Sequence, residues 1–438
     1  MELSSRVGGL EGVLQEFELC AARAVLWPLR VLISVPSLLF LGALTAMLLR
    51  HPDVQFYEMD RVAFGLLVLG VSGRVILLRQ APFVARASLP MLGLMILALA
   101  GIAVHPFDHE TWSLLASKFI VPFTLFHLAA LVFTTEKRCR QFEIFALIVL
   151  AYLSFTAIAF LVGARSLIFP RFILDESLGS HADRARGPLL QAVANGVSLN
   201  VLGLLAAHAY LRGRARGAKI WILLASVPVA ILATMTRAVW LSFAGSALAL
   251  ILMSGNRVFR RICIAAVVVG AAGLTVMMSS SEFAGSLNDR LQERGPIDYR
   301  EAVYAGGWEM FQQKPLWGWG FHQMPYELPR HVSGYREKVL YPHNTYLELL
   351  VEHGVVGLAL YVWLMWELLG LGRGAIPADE SDGFLGRHFH RLWPILLAVY
   401  WVNAALVVMS YQFVNGLLFT MAGMLAAQKK RAEFQRPC

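Results

Sequence analysis

Residues 341–357 read YPHNTYLELLVEHGVVG and open an apolar run that continues to about 371. Such a run exceeds the roughly 18 residues needed to cross a hydrocarbon core about 30 Å thick. It reads as a membrane span with His343 and Asn344 at its lip. Similar runs recur through the chain of 438 residues. Composition agrees: 57% hydrophobic and 15% charged, with mean hydropathy +0.60, whereas soluble domains are about 45–50% apolar and about 25% charged.

The expectation is an all-α polytopic membrane protein, a single integral membrane domain over 1–438. About twelve transmembrane helices are expected near 24–49, 62–79, 87–105, 112–134, 141–164, 188–211, 218–236, 238–254, 259–279, 345–371, 390–410 and 411–428. No polar block is long enough for a separate soluble domain. The first ~30 residues lack the h-region and cleavage site of a signal peptide and are expected to be retained.

Lys and Arg orient the spans. Alternate connections hold Arg79 and Arg86; Lys137, Arg138 and Arg140; Arg212, Arg214, Arg216 and Lys219; Arg257, Arg260 and Arg261; and Arg373 and Arg387. The remaining short connections, 50–61 and 105–111, are rich in acids. Both termini are therefore expected in the cytoplasm, and the net charge of +9 reads as a topology signal rather than a nucleic-acid footprint. Cys20, Cys139, Cys263 and Cys438 fall on the cytoplasmic side, away from oxidation and without metal-ligand spacing.

Two outer segments depart from this rule: the smaller loop 165–187, with Arg184 and Arg186, and the large loop 280–344, with Arg290 and Arg300. Basic residues outside, against the orienting bias, point to an anionic ligand on that face, although long loops also cross membranes regardless of charge. His343 would stand there at the start of the tenth span. Thr345 and Glu348 have the spacing of a capping box, and a helix N-terminus disfavours imidazolium, leaving a ring able to accept a proton. Asn344 adds a donor and an acceptor beside it. An interfacial histidine satisfied by headgroups has the same spacing. Arg237, in TMTRAVWL at the outer end of spans seven and eight, is costly unless it lines a wet cavity or finds a partner. Arg300 lies in DYREAVYAGGWEMFQQKPLWGWG, whose first part reads as an amphipathic helix on the membrane surface. Lys118 is the one intramembrane charge expected to reach this outer site. Converging arginines beside a base suit a lipid-linked diphosphate, since guanidinium binds phosphate bidentately.

The pattern resembles a family. His343-Asn344, nine residues, then Gly354 and Gly357 is similar to the signature of the O-antigen ligases (WaaL-type), which stand with O-antigen polymerases and bacterial O-oligosaccharyltransferases. Arg237 with Leu241, and Arg300 through KPLWGWG, resemble two further blocks of that family. The resemblance covers about 184–357. It implies inverting, metal-independent glycosyl transfer at the periplasmic face of the bacterial inner membrane. The implied donor is an undecaprenyl-pyrophosphate-linked glycan, and the acceptor a hydroxyl of lipid A-core oligosaccharide. His343 would be the base, Arg186 and Arg237 catalytic, and Arg184, Arg290, Arg300, Asn344 and Lys118 substrate-binding, with no metal or other cofactor. Only one outer loop is large, which favours ligase over polymerase. A twelve-span secondary transporter remains the rival of a different class, with Lys118, His127, Glu143, Asn195, Asn200, Asn403 and Asn415 as its midplane polar groups.

Overall fold

A computed structural model describes residues 31–50, 59–104, 108–179, 181–253, 257–278, 295–334, 339–374, 376–377 and 380–434. Every regular element among them is helical. In chain order they are α1 (Pro36–Leu48), α2 (Met59–Leu77), α3 (Ser88–Ala103), α4 (His109–Val132), α5 (Glu136–Leu161), α6 (Ala192–Leu211), α7 (Ala218–Ala233), α8 (Arg237–Met253), α9 (Arg257–Met278), α10 (Gly295–Gln313), α11 (Thr345–Leu371), α12 (Arg387–Ala404) and α13 (Gln412–Phe434). Four of these, α4, α5, α6 and α11, are long and apolar enough to cross a membrane.

Two helices form the interior. α6 is small and apolar on all sides, and 89% of its central window is buried, as expected of a helix without a polar face. α13 is buried from Phe413 through Gln428 and packs along α4, while α5, α7 and α12 pack around α6. The outer helices leave large apolar side chains uncovered, among them Leu69, Ile76, Ile148, Leu248 and Trp366. In water each exposed side chain would forgo about 1.5–3 kcal/mol of burial; against lipid it forgoes little. The chain is a helical membrane protein.

Several polar residues in this interior are paired between helices, and others bond a loop or their own helix. Ser246 donates to Asn200 at 3.0 Å, Tyr400 to Asn415 at 2.7 Å, Arg212 to Glu143 at 3.0 Å, and Ser88 lies 2.8 Å from His127. Asn195 donates to Ala185 O at 2.8 Å and Asn403 to Val399 O at 2.8 Å. Lys118, on a π-helical turn at Ala116–Ile120 of α4, reaches both carboxylate oxygens of Glu348 at 2.9 Å.

α11 is broken at Gly354, whose φ is +63°. In an unbroken helix Val355 N–H would donate to Val351 O, and Val356 N–H to Glu352 O. Here the KPLWGWG segment takes all four groups. Val355 N donates to Pro315 O at 2.8 Å and Val356 N to Leu316 O at 3.4 Å; Trp319 N donates to Val351 O and Gly320 N to Glu352 O, both at 2.9 Å. A Cβ on Gly354 would stand 2.2 Å from Leu316 O, and one on Gly318 (φ +72°) 2.4 Å from Glu352 O. Gly357 is small for a related reason, since a Cβ there would lie 2.2 Å from His353 Cβ.

Two expectations need correction. The capping box does not form. Asn344 itself caps α11, accepting from Tyr346 N and Leu347 N at 3.0 and 3.1 Å; Thr345 bonds Val407 O and Met409 N, and Glu348 is taken by Lys118. α10 turns Val303, one of the residues expected to face the membrane, into the protein. Val303 and Met310 are fully buried against Met324, Leu328, Leu340 and Val351, giving the large loop a core of its own.

Gly354→Ala should lower the thermal midpoint in detergent, since the backbone conformation alone costs about 1–3 kcal/mol and the Leu316 carbonyl must also move. Gly370→Ala, in the same helix with open space around it, should leave the midpoint unchanged or raise it.

Candidate active site

A cavity of about 870 Å³ is lined by residues from 110–118, 181–193, 235–241, 297–300, 322–325, 341–348 and 406–411. His343, Arg184, Arg237, Arg300 and Lys118 all line it. Arg237 is the first residue of α8, immediately after the turn that ends α7. Arg300 comes from the second turn of α10, and its guanidinium also donates to Leu406 O at 3.2 Å. Arg184 is buried beside Asp183, at 3.5 Å. Lys118 closes the floor through its pair with Glu348.

His343 is held from several sides. Tyr299 donates to Tyr341 O at 3.1 Å and accepts from Tyr341 N at 3.0 Å, tying the segment ahead of the histidine to α10. The Tyr299 ring lies 5.9 Å from the imidazole. His343 itself sits at φ +48°. Of the six described non-glycine residues with positive φ, His181, Met235, His322 and His343 line this cavity. Strained backbone concentrated in this way is a mark of functional sites. The His343 ring opens onto the cavity, yet the surrounding protein lowers its pKa below the ordinary value. Burial is the main cause, followed by the charges of Arg300 and His181. This shift favours the neutral ring expected from the helix terminus, with burial as its leading cause.

Arg186 is not brought to the cavity. Its side chain is 1% exposed and donates to the carbonyls of Ile173 (3.1 Å), Leu178 and Asp175. It also does not precede a helix at Pro188: residues Gly187–Leu189 form a 3-10 turn, and α6 begins only at Ala192. Its guanidinium therefore holds the 165–187 loop in shape, while Arg184 two residues earlier faces the cavity. Asn344 spends its carbonyl oxygen on the helix cap, and Arg290 lies outside the described residues.

Sequence reasoning missed Glu110, His181, Gln191 and His322 as cavity residues. His322 follows the KPLWGWG segment, and its position depends on how that segment docks in the break of α11.

The fold and cavity define a helical membrane protein with a histidine and several guanidinium groups gathered at the ends of its helices. Residues 196–362 match the family described as O-antigen ligase, which supports the resemblance to the O-antigen ligase and polymerase superfamily and a role as an enzyme. No curated protein matches the chain.

Protonation of His343 should occur only below its ordinary value near 6.5. Residue-resolved acylation by diethyl pyrocarbonate, followed against pH by mass spectrometry, should therefore retain the neutral-ring rate through pH 6.5 and fall at lower pH. Arg300→Gln removes a repelling charge and should move that fall to higher pH; an unmoved profile would remove Arg300 from the electrostatics of the ring.

Proposed function

We propose that the chain is an O-antigen ligase: an inverting glycosyltransferase that moves a glycan from undecaprenyl pyrophosphate to a hydroxyl of lipid A-core oligosaccharide, at the periplasmic face of the bacterial inner membrane. The observation that carries this reading is the convergence of His343 with Arg184, Arg237 and Arg300 on one cavity at the helix ends. The orientation proposed places that cavity outside and both termini in the cytoplasm, with further helices joining the four long apolar ones in spanning the membrane.

In the proposed reaction the acceptor oxygen attacks the anomeric carbon on the face opposite the diphosphate. The new C–O bond forms as the bond from that carbon to the diphosphate oxygen breaks, inverting the centre. His343 takes the hydroxyl proton, and the electron pair leaves with the diphosphate. Arg237 and Arg300, with Arg184, meet the charge that grows there; charge-assisted bonds of this kind contribute about 1.5–3 kcal/mol each. Because guanidinium groups are assigned this task, transfer is expected to be independent of divalent cations.

The transporter reading gains a broken helix in α11, since transporters bind substrate at such breaks. Here the backbone groups at Gly354 are occupied by 315–320, which leaves them unavailable to a cargo. The polymerase and protein-glycosylating readings share the cavity and differ in acceptor. Product analysis separates the three: capped core oligosaccharide marks the ligase, lengthened lipid-linked polymer the polymerase, and glycosylated protein the oligosaccharyltransferase.

His343→Ala should reduce turnover per folded molecule by about 10²–10⁴-fold with donor affinity nearly unchanged. Arg237→Ala should weaken donor binding as well as turnover, with Lys restoring it only in part. Arg186→Ala should instead lower the yield of folded protein. EDTA should leave the rate unchanged, and loss of rate restored by Mg²⁺ would contradict the arginine assignment. Single cysteines at 183 and 331 should react from outside in spheroplasts and one at 215 should not.

A further inference from the structure

The cavity is lined by two chemically different sets of groups. Arg184, Arg237 and Arg300 supply positive charge, whereas Glu110, His322 and Tyr341 supply a carboxylate, an imidazole and a phenol. Glu110 stands in the first turn of α4, which Asp108 caps by accepting from Glu110 N and Thr111 N at 3.3 and 2.9 Å. His322 is 2% exposed. Its Nε2 lies 3.5 Å from the Tyr326 hydroxyl and 3.8 Å from a Glu110 oxygen. Burial, and then the charge of Lys118, bring its pKa down to about 4, so near pH 7 the ring is neutral and offers one N–H and one lone pair. Burial and the Glu110 charge both push up the Tyr341 phenol, which therefore keeps its proton as a donor.

These groups are poorly matched to a phosphate. A carboxylate repels it, and a neutral imidazole brings no compensating charge. They are well matched to alcohol groups, each of which can donate to the carboxylate and accept from an N–H or phenol. A sugar ring would present several such hydroxyls at once, with its C–H faces toward the tyrosine rings.

We propose that Glu110, His322 and Tyr341 form the acceptor subsite and select an uncharged sugar ring as the attacking partner. This rests on the function proposed above and assigns the acceptor side of the same cavity. His322 is a binding and positioning residue here, while His343 receives the proton. Glu110 discriminates against a phosphorylated ring by charge repulsion.

The test uses the purified full-length chain, a lipid-diphosphate-linked glycan as donor, and two lipid-linked hexose acceptors that differ by one phosphate on the ring. The wild-type chain should favour the uncharged acceptor. His322→Ala should raise the acceptor KM by about tenfold or more, the loss of one or two bonds in a dry site, with donor binding measured in the same sample within about twofold of wild type. His322→Gln should recover part of the loss. Glu110→Gln should narrow the preference for the uncharged acceptor by about tenfold. Transfer that proceeds with unaltered acceptor KM and unaltered preference in these variants overturns the subsite and leaves the proposed function standing, as does a parallel fall in donor binding. Failure of the wild-type chain to transfer to either acceptor overturns both.

Discussion

The structure depends on the four backbone hydrogen bonds that join Pro315, Leu316, Trp319 and Gly320 to the break in α11. Apolar surroundings offer no water to an unpaired N–H or carbonyl, and each such group left open costs several kcal/mol. A helix can be interrupted there only if another piece of protein takes its freed groups. The KPLWGWG segment, which turns at 315–317, does so, and the two glycines at the closest approach, Gly318 and Gly354, leave no room for side chains. The spacing of glycines in both motifs is thus the imprint of one joint.

That joint places the groups that line the cavity. The N-terminal half of α11 carries Glu348 toward Lys118 and ends above in the Asn344 cap and His343. The segment that fills the break leads directly into Phe321 and His322. On the other side, α10 is fixed over the same half-helix by the buried core of Val303, Met310 and Val351, which brings Arg300 and Tyr299 to the cavity. Breaking the buried Lys118–Glu348 pair, with side chains only 10% and 7% exposed, would leave a charge uncompensated at a cost of order 3–5 kcal/mol. The floor of the cavity is therefore rigid, and the arginine charges above it are held before any substrate arrives. Preorganised charge of this kind stabilises a leaving group without the reorganisation that water would need.

Much of this was legible in the sequence. Apolar run length located the helices to within a few residues for most of the chain, because burial or lipid contact requires it of any sequence. Arg237, Arg300 and His343 were identifiable because charge in apolar context has few explanations, and the structure places all three on one cavity. Arg186 was misjudged for the same reason: an arginine in a loop can be neutralised by its own loop carbonyls, and nothing local distinguishes that from a ligand-facing arginine. Thr345 reads as part of a capping box, but its hydroxyl is taken by Val407 and Met409, more than sixty residues away, and Asn344 caps the helix instead. Glu110 and His322 carried no signal because their proximity is made only by the docking of 315–320 against α11.

In the function proposed, this cavity forms a glycosidic bond by direct displacement of a lipid diphosphate. Incubating purified protein with a glycan on undecaprenyl pyrophosphate and lipid A-core acceptor, then determining the anomeric configuration of the product linkage by NMR, tests it most directly. The account predicts an inverted linkage with one free undecaprenyl pyrophosphate released per bond formed. A retained configuration, or movement of the intact lipid-linked glycan across vesicles with no new bond, would contradict it.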